Sequence, residues 1–107
     1  DVLSDPQRHL LAAARRQPRI PALRLRGLRR DAAIDALADF LALRRAVGDR
    51  IVRVITGKGI GSPGEPVLKA AVVAWCAGEG ADVVREWAPE RERDGCYGAL
   101  ILALRPR

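Results

Sequence analysis

The stretch Ile51-Val-Arg-Val-Ile-Thr-Gly-Lys-Gly59 lies at the centre of this chain and decides its fold. Its first half is apolar and β-branched, as in a buried strand, and it ends in a loop with glycines on both sides of Lys58. A helix start signal follows directly, with Ser62 as N-cap, Pro63 in the first turn and Glu65 three residues after the cap. The sequence therefore predicts a strand, a glycine-rich loop and a helix.

This loop has the chemistry of an anion site. Glycines allow close backbone approach, the next helix presents free N–H groups, and Lys58 adds a full positive charge. A Walker loop would have a glycine at position 52 and a serine or threonine at position 59, where this chain has Val52 and Gly59. This difference argues against a nucleoside triphosphate site. The alternative is a glycine-rich turn with a solvated lysine, and the spacing alone does not decide between the two.

The segments on either side continue the α/β pattern. In chain order we predict a helix over 5–16 capped by Asp5, a strand over 22–27, a helix over 29–47 ended by Gly48, the central strand over 50–56, a helix over 63–77, and strands over 81–88 and 99–105. The domain should then span residues 22–107. Residues 1–21 form a basic helical arm that either packs across the domain or leads into it as a mobile segment.

The predicted order brings two motifs together. Because a helix joins the first two strands, they should be parallel, with their carboxyl ends at one edge of the sheet. Arg26-Gly27 then lies beside Thr56-Gly57-Lys58, at the edge where open α/β sheets bind ligands. Alternation places Arg24, Arg26 and Arg53 on one open face.

The third predicted strand extends this face in the same way. Arg85 and Trp87 stand two residues apart, so one interpretation is that they share this face and that the indole ring stacks against a base. Core packing of Trp87 is the alternative. Glu90 to Asp94 read as a charged, exposed loop after Pro89 ends the strand.

Composition indicates one soluble globular domain with a polyanionic partner. The 107 residues are 49% hydrophobic and 30% charged, and no apolar run has membrane-spanning length. No signal peptide is present, so we expect a cytoplasmic location without a membrane partner. The formal charge of +6 favours nucleic acid, although a high-GC genome also enriches arginine. The chain begins at Asp1 without methionine, which is compatible with a fragment of a longer protein that carries other domains.

The sequence predicts neither a metal nor a cofactor. Cys76, Cys96 and His9 are not at ligand spacing, and a buried, incidental Cys76 is the simplest interpretation. Three aspartates, at positions 31, 35 and 39, take the outer face of the first domain helix, where a solvated face explains them.

Five motifs, in order, resemble those of the Smr (small MutS-related) domain family. They are Leu23-Arg-Leu-Arg-Gly-Leu28, Thr56-Gly-Lys-Gly59, Ser62-Pro-Gly64, Val67-Leu-Lys69 and Asp94-Gly-Cys-Tyr-Gly-Ala99-Leu100. The resemblance covers about residues 21–105. It implies an α/β fold, a two-layer βαβαββ sandwich with a mixed four-stranded sheet similar to the C-terminal domain of translation initiation factor three.

The resemblance also implies nucleic-acid binding. Many Smr domains are endonucleases that nick DNA or cut RNA, often RNA engaged with ribosomes, which makes ribosome association a further expectation. The family's first motif is usually Leu-Asp-Leu-His-Gly, and this chain has Arg24 and Arg26 in place of its Asp and His. Arginine does not deprotonate at neutral pH and cannot serve as a general base. We therefore expect binding with cleavage in doubt; the alternative is an endonuclease with an atypical active site.

No catalytic residue is assigned from the sequence. The predicted phosphate-binding residues are Arg24, Arg26, Gly27, Arg53, Thr56, Gly57, Lys58 and Gly59. Candidates for further contacts are Arg85, Trp87, Gly95 and Gly98, the two glycines having either a structural or a backbone-approach role.

Overall fold

An α/β fold is formed by residues 2–57, 65–92 and 97–107, which the computed structural model describes. In chain order the elements are α1 (Asp5–Arg15), β1 (Ala22–Arg24), α2 (Arg30–Ala46), β2 (Ile51–Ile55), α3 (Glu65–Ala77), a 3-10 helix (Glu79–Asp82), β3 (Val84–Arg91) and β4 (Tyr97–Leu104). The predicted cap at Ser62 and the Lys58 loop lie outside the described residues.

The four strands form one mixed sheet in the order β1-β2-β4-β3. β1 is parallel to β2, whereas β4 is antiparallel to both of its neighbours. The parallel ladder continues past β1, where the Leu25 amide donates to the carbonyl of Ile55 at 2.8 Å. The predicted mixed sheet is therefore confirmed, and the carboxyl ends of β1, β2 and β3 meet at one edge.

One face of the sheet is covered by α2 and α3, each of which presents one buried residue per turn. The stripes are Ala33, Leu37 and Leu41 on α2, and Leu68, Val72 and Cys76 on α3. This four-residue spacing keeps each stripe on a single side of its helix, so it packs against the inward side chains of the strands. After α2 the chain turns at Gly48, whose φ of 93° lies in the region that favours glycine.

The other face is partly covered by α1. Leu10 and Ala14 are buried against Ile101 and Ala88, and the Gln7 side-chain amide donates to the carbonyl of Trp87 at 3.2 Å. The N-terminal arm therefore packs across the domain and is not a mobile leader to it. Small residues on β3 and β4 allow this close approach of the helix.

The N-cap of α1 is Ser4 and not Asp5. The Ser4 hydroxyl accepts from the Gln7 amide, while the Gln7 side chain accepts from the Ser4 amide, forming a capping box. The carboxylate of Asp5 instead accepts from Arg8, one turn further along the helix. An aspartate in the first turn still complements the helix dipole.

The third predicted strand is displaced towards the carboxyl end. A 3-10 helix occupies the start of the predicted strand, and β3 continues through Pro89 to Arg91. Proline is tolerated because β3 is an edge strand. One of its two sides has no neighbouring strand to which a backbone amide would donate. Register shifts interrupt the pairing of β3 with β4 near both of its ends. Glu90 therefore lies on a strand and not in the predicted loop.

No helix among the described residues is long and apolar enough to cross a membrane.

Replacing Gly80 by alanine should destabilise the fold. A Cβ atom at this position would overlap the benzene part of the Trp75 indole. We expect the free energy of unfolding to fall by about 1–3 kcal/mol, measured by urea denaturation. The control is the same change in a Trp75→Phe background, where the shorter ring leaves room and the loss should be smaller. Equal losses in both backgrounds would contradict the packing described.

The Leu10→Ala substitution tests whether α1 is part of the folded unit. Leu10 is 4% exposed in the cluster beneath α1, so truncation should lower the free energy of unfolding by about 2–4 kcal/mol. His9→Ala, at the exposed neighbouring position, is the matched control and should change it by less than about 0.5 kcal/mol. A neutral Leu10→Ala change would mean that the arm detaches in solution.

Candidate nucleic-acid interface

The part of the second sheet face that α1 leaves uncovered is a cleft at the carboxyl edge of β1, β2 and β3. Its volume is about 510 Å³. It is lined by Arg24, Arg26, Arg53, Ile55, Gly57, Glu90, Arg91, Glu92, Gly98 and Ala99. Two strand ends that the sequence predicted to be neighbours, those of β1 and β2, thus contribute to one concave surface.

Arg24 and Arg26 form the β1 side of the cleft. Both side chains are exposed, and alternation along the strand directs them to the same face. Arg24 makes no ion pair with any residue in the described part of the chain. Gly27 follows with a φ of 90° and is exposed, but it does not line the cleft.

Gly57 follows β2 and is hydrogen-bonded to the first residues of β4. The amides of Thr56 and Gly57 both donate to the carbonyl of Gly98, at 2.9 and 3.0 Å. Gly57 has a φ of 89°, which an L-residue with a side chain rarely adopts, and its backbone lines the cleft. Gly98 lines it as well, which places two of the predicted backbone positions in the same surface.

Thr56 has a different position from the one expected of a ligand contact. Its side chain is fully buried, and its hydroxyl donates to the carbonyl of Gly57 at 3.3 Å. The hydroxyl therefore supports the backbone of the strand end and does not line the cleft.

The lining of the cleft includes a bidentate ion pair between Arg53 and Glu90. Arg53 Nε and Nη2 donate to Glu90 Oε1 and Oε2 at 2.7 and 2.8 Å. The side chains are 32% and 38% exposed, so water screens the pair only in part. The hydrogen bonds to Glu90 raise the pKa of Arg53, which keeps its charge at any ordinary pH. Arg53 is predicted from the sequence, whereas Glu90 is not, because the predicted strand ends at Pro89 and β3 continues to Arg91.

The cleft as a whole carries more positive than negative charge. Its lining includes four arginines and two glutamates. Because the Arg53 guanidinium faces the Glu90 carboxylate, the exposed side chain of Arg24, which has no ion pair within the described ranges, is better placed to meet an external anion. The chemistry of the cleft is thus electrostatic attraction with forked hydrogen-bond donors, the combination that suits phosphate.

Trp87 does not share the face of Arg53; of the two alternatives, extension of that face and core packing, the structure shows core packing. Trp87 pairs with Leu102 and packs half-buried on the α3 side of the sheet. The register shift between Val84 and Glu86 breaks the simple alternation from which a shared face was predicted. Arg85 is exposed at that irregularity and does not line the cleft.

Three predicted site residues, Lys58, Gly59 and Gly95, lie outside the described residues. Among the described residues no group of three or more His, Cys, Asp or Glu side chains is arranged to hold a metal ion. Burial raises the pKa of the Cys76 thiol to about 12, so this cysteine is an uncharged core residue at neutral pH.

Comparison with known proteins gives the fold and the family. The Smr domain of Thermus thermophilus MutS2 superposes with a TM-score of 0.66 at 29% identity, over 81% of this chain and 100% of that chain. Escherichia coli YdaL, a stand-alone small MutS-related protein, shares the fold with a TM-score of 0.74 at 23% identity, over 98% of this chain and 79% of that chain. No curated protein matched the sequence. The Smr domain family model matches residues 23–105, and the chain therefore belongs to the Smr domain family, which is known for nucleic-acid binding and nuclease activity.

Proposed function

We propose that this Smr domain binds RNA or DNA through phosphates, with the cleft beside β1 as its contact surface. The observation that carries the proposal is the pair Arg24 and Arg26, exposed side by side at the sheet edge next to the backbone of Gly57. Forked guanidinium donors match phosphate oxygens, and the formal charge of +6 attracts a polyanion from a distance.

The sequence motif adds a contact that follows directly in the chain. Lys58 comes after Gly57, and we retain it and Gly59 as predicted phosphate contacts. Ribosome association and a cytoplasmic location likewise stay predictions from the sequence and the family resemblance.

Binding without efficient cleavage is the form of this function that the cleft supports best. Arg24 and Arg26 stand where the family usually has an aspartate and a histidine, and neither takes up a proton at neutral pH. Glu90 lines the cleft, but both of its oxygens accept from Arg53. Both acceptor atoms of this carboxylate are thus engaged by a guanidinium, and neither faces a ligand in the cleft alone.

Arg24→Ala tests the phosphate contact. We expect the Kd for RNA and DNA to rise about tenfold whatever the sequence, because one charged hydrogen-bond donor is lost. The slope of log Kd against log salt should decrease by about 1, as expected for one phosphate contact fewer. Fluorescence anisotropy at several salt concentrations measures both.

The matched control for this variant is Arg50→Ala. Arg50 is also exposed, but it precedes β2 and so lies at the amino end of that strand, opposite to the end that forms the cleft. It should leave affinity and salt slope nearly unchanged. Equal effects of the two variants would mean that net charge and not the cleft determines binding. Gels run in parallel report cleavage; cutting that Arg24→Ala abolishes would establish the endonuclease alternative.

Glu90→Gln should tighten binding. The change removes a negative charge from the cleft and releases Arg53 from its ion pair, so Arg53 becomes available to a phosphate. We expect a Kd several-fold lower and a salt slope larger by about 1. Glu79→Gln, an exposed carboxylate on the 3-10 helix away from the cleft, is the control. Weaker or unchanged binding by Glu90→Gln would show that Arg53 does not reach the ligand.

A further inference from the structure

A second concave surface lies between α3 and the β3–β4 edge, on the opposite side of the sheet from the cleft. Its volume is about 540 Å³, and it is lined by Lys69, Ala70, Val73, Ala74, Trp87 and Tyr97. The two aromatic side chains are half-buried, and apart from Lys69 the lining carries no charge. We call this surface the Trp87 groove.

Positive charge surrounds the aromatic ring at one end of the Trp87 groove. Lys69 Nζ lies 4.6 Å from the centroid of the Tyr97 ring, and Arg91 Cζ lies 5.5 Å from it. Cations at these distances are attracted to the ring and hold it in place. The groove thus combines apolar walls with fixed cationic groups.

Arg91 connects the Trp87 groove to the cleft. It pairs with Tyr97 across β3 and β4, and it also lines the cleft. On β4 the residue after Tyr97, Gly98, faces the cleft. The two surfaces are therefore neighbours around one end of the sheet, with an arginine between them.

The other tryptophan of the chain stands in a contrasting place. Trp75 lines a groove between α2 and α3 together with one arginine, Arg30, and three carboxylates, those of Asp31, Asp35 and Glu79. Its ring also packs against Gly80, which is itself buried. The lining of the Trp75 groove is thus net negative and repels a polyanion. The lining of the Trp87 groove carries the positive charge of Lys69, and the nearby Glu86 carboxylate accepts a hydrogen bond from the Trp87 amide.

We propose that the Trp87 groove binds an unpaired base of a single-stranded nucleic acid whose chain continues past Arg91 into the cleft. The inference rests on the proposed function and names its substrate class. A base in a duplex is paired and stacked, so it cannot enter a groove, whereas an unpaired base presents its ring to aromatic side chains. Arg91 and Lys69 neutralise the phosphates on either side of the bound base.

Two single-tryptophan proteins test this directly. Trp75→Phe leaves Trp87 as the only source of indole emission, and Trp87→Phe leaves Trp75. The probes are a short mixed-sequence RNA, the DNA of the same sequence, and the duplex of each. We expect the single strands to quench Trp87 emission to saturation and the duplexes to leave it unchanged, while Trp75 responds to neither.

Affinity measurements give the second arm. Trp87→Leu should raise the Kd for the single strands about tenfold, since stacking of one base is lost, and leave the Kd for the duplexes unchanged. Circular dichroism confirms that this variant is folded. If it is not, the Trp75→Phe emission titration decides alone.

Several outcomes would overturn the inference. They are equal quenching by duplexes, a silent Trp87 during salt-sensitive binding, an unchanged single-strand Kd in folded Trp87→Leu, or a Trp87 emission that varies with protein concentration alone, which would indicate self-association through the groove. Salt-sensitive binding that depends on Arg24 while Trp87 stays silent would leave the proposed function intact. The absence of any binding would remove both.

Discussion

The fold depends on burying β4 on both of its faces. Leu100, Leu102 and Leu104 pack towards α2 and α3, while Ile101 and Ala103 pack towards α1, and all five are at most 2% exposed. A strand that is apolar without alternation is stable only when both sides are covered. Because β4 is apolar on both faces, it needs α1 to cover the second face. The last strand therefore depends on the N-terminal helix for its stability.

The location of the cleft follows from the same constraint. α1 is short, and it covers the β3–β4 side of the sheet but not the ends of β1 and β2. The side chains left uncovered there are Arg24 at the end of β1, Arg26 just after it, and the Arg53–Glu90 pair, because no described helix buries them. One part of this sheet face is thus the charged cleft, and the other part is the apolar contact with α1. The length of α1 determines where the apolar contact ends and the cleft begins.

Element order, the parallel first pair of strands and the meeting of Arg26 with Gly57 could all be predicted, because hydrophobic period and turn residues are local signals. The site was predicted less completely. The sequence did not decide between stacking and core packing for Trp87, and Glu90 was missed, since a register shift and an edge-strand proline depend on how β3 pairs with β4. Ser4 was missed as the cap because Asp5 has a similar preference for that position.

The edge strand β3 has a consequence for how copies of this domain behave towards each other. A regular edge strand offers a row of unpaired amides and carbonyls to which another chain can add, the usual first step of sheet-to-sheet aggregation. In β3 the row is interrupted by Pro89 and by irregular pairing near both ends. The opposite edge, β1, has only three residues. Both borders of the sheet therefore resist intermolecular strand addition, which favours a domain that stays dispersed at high concentration.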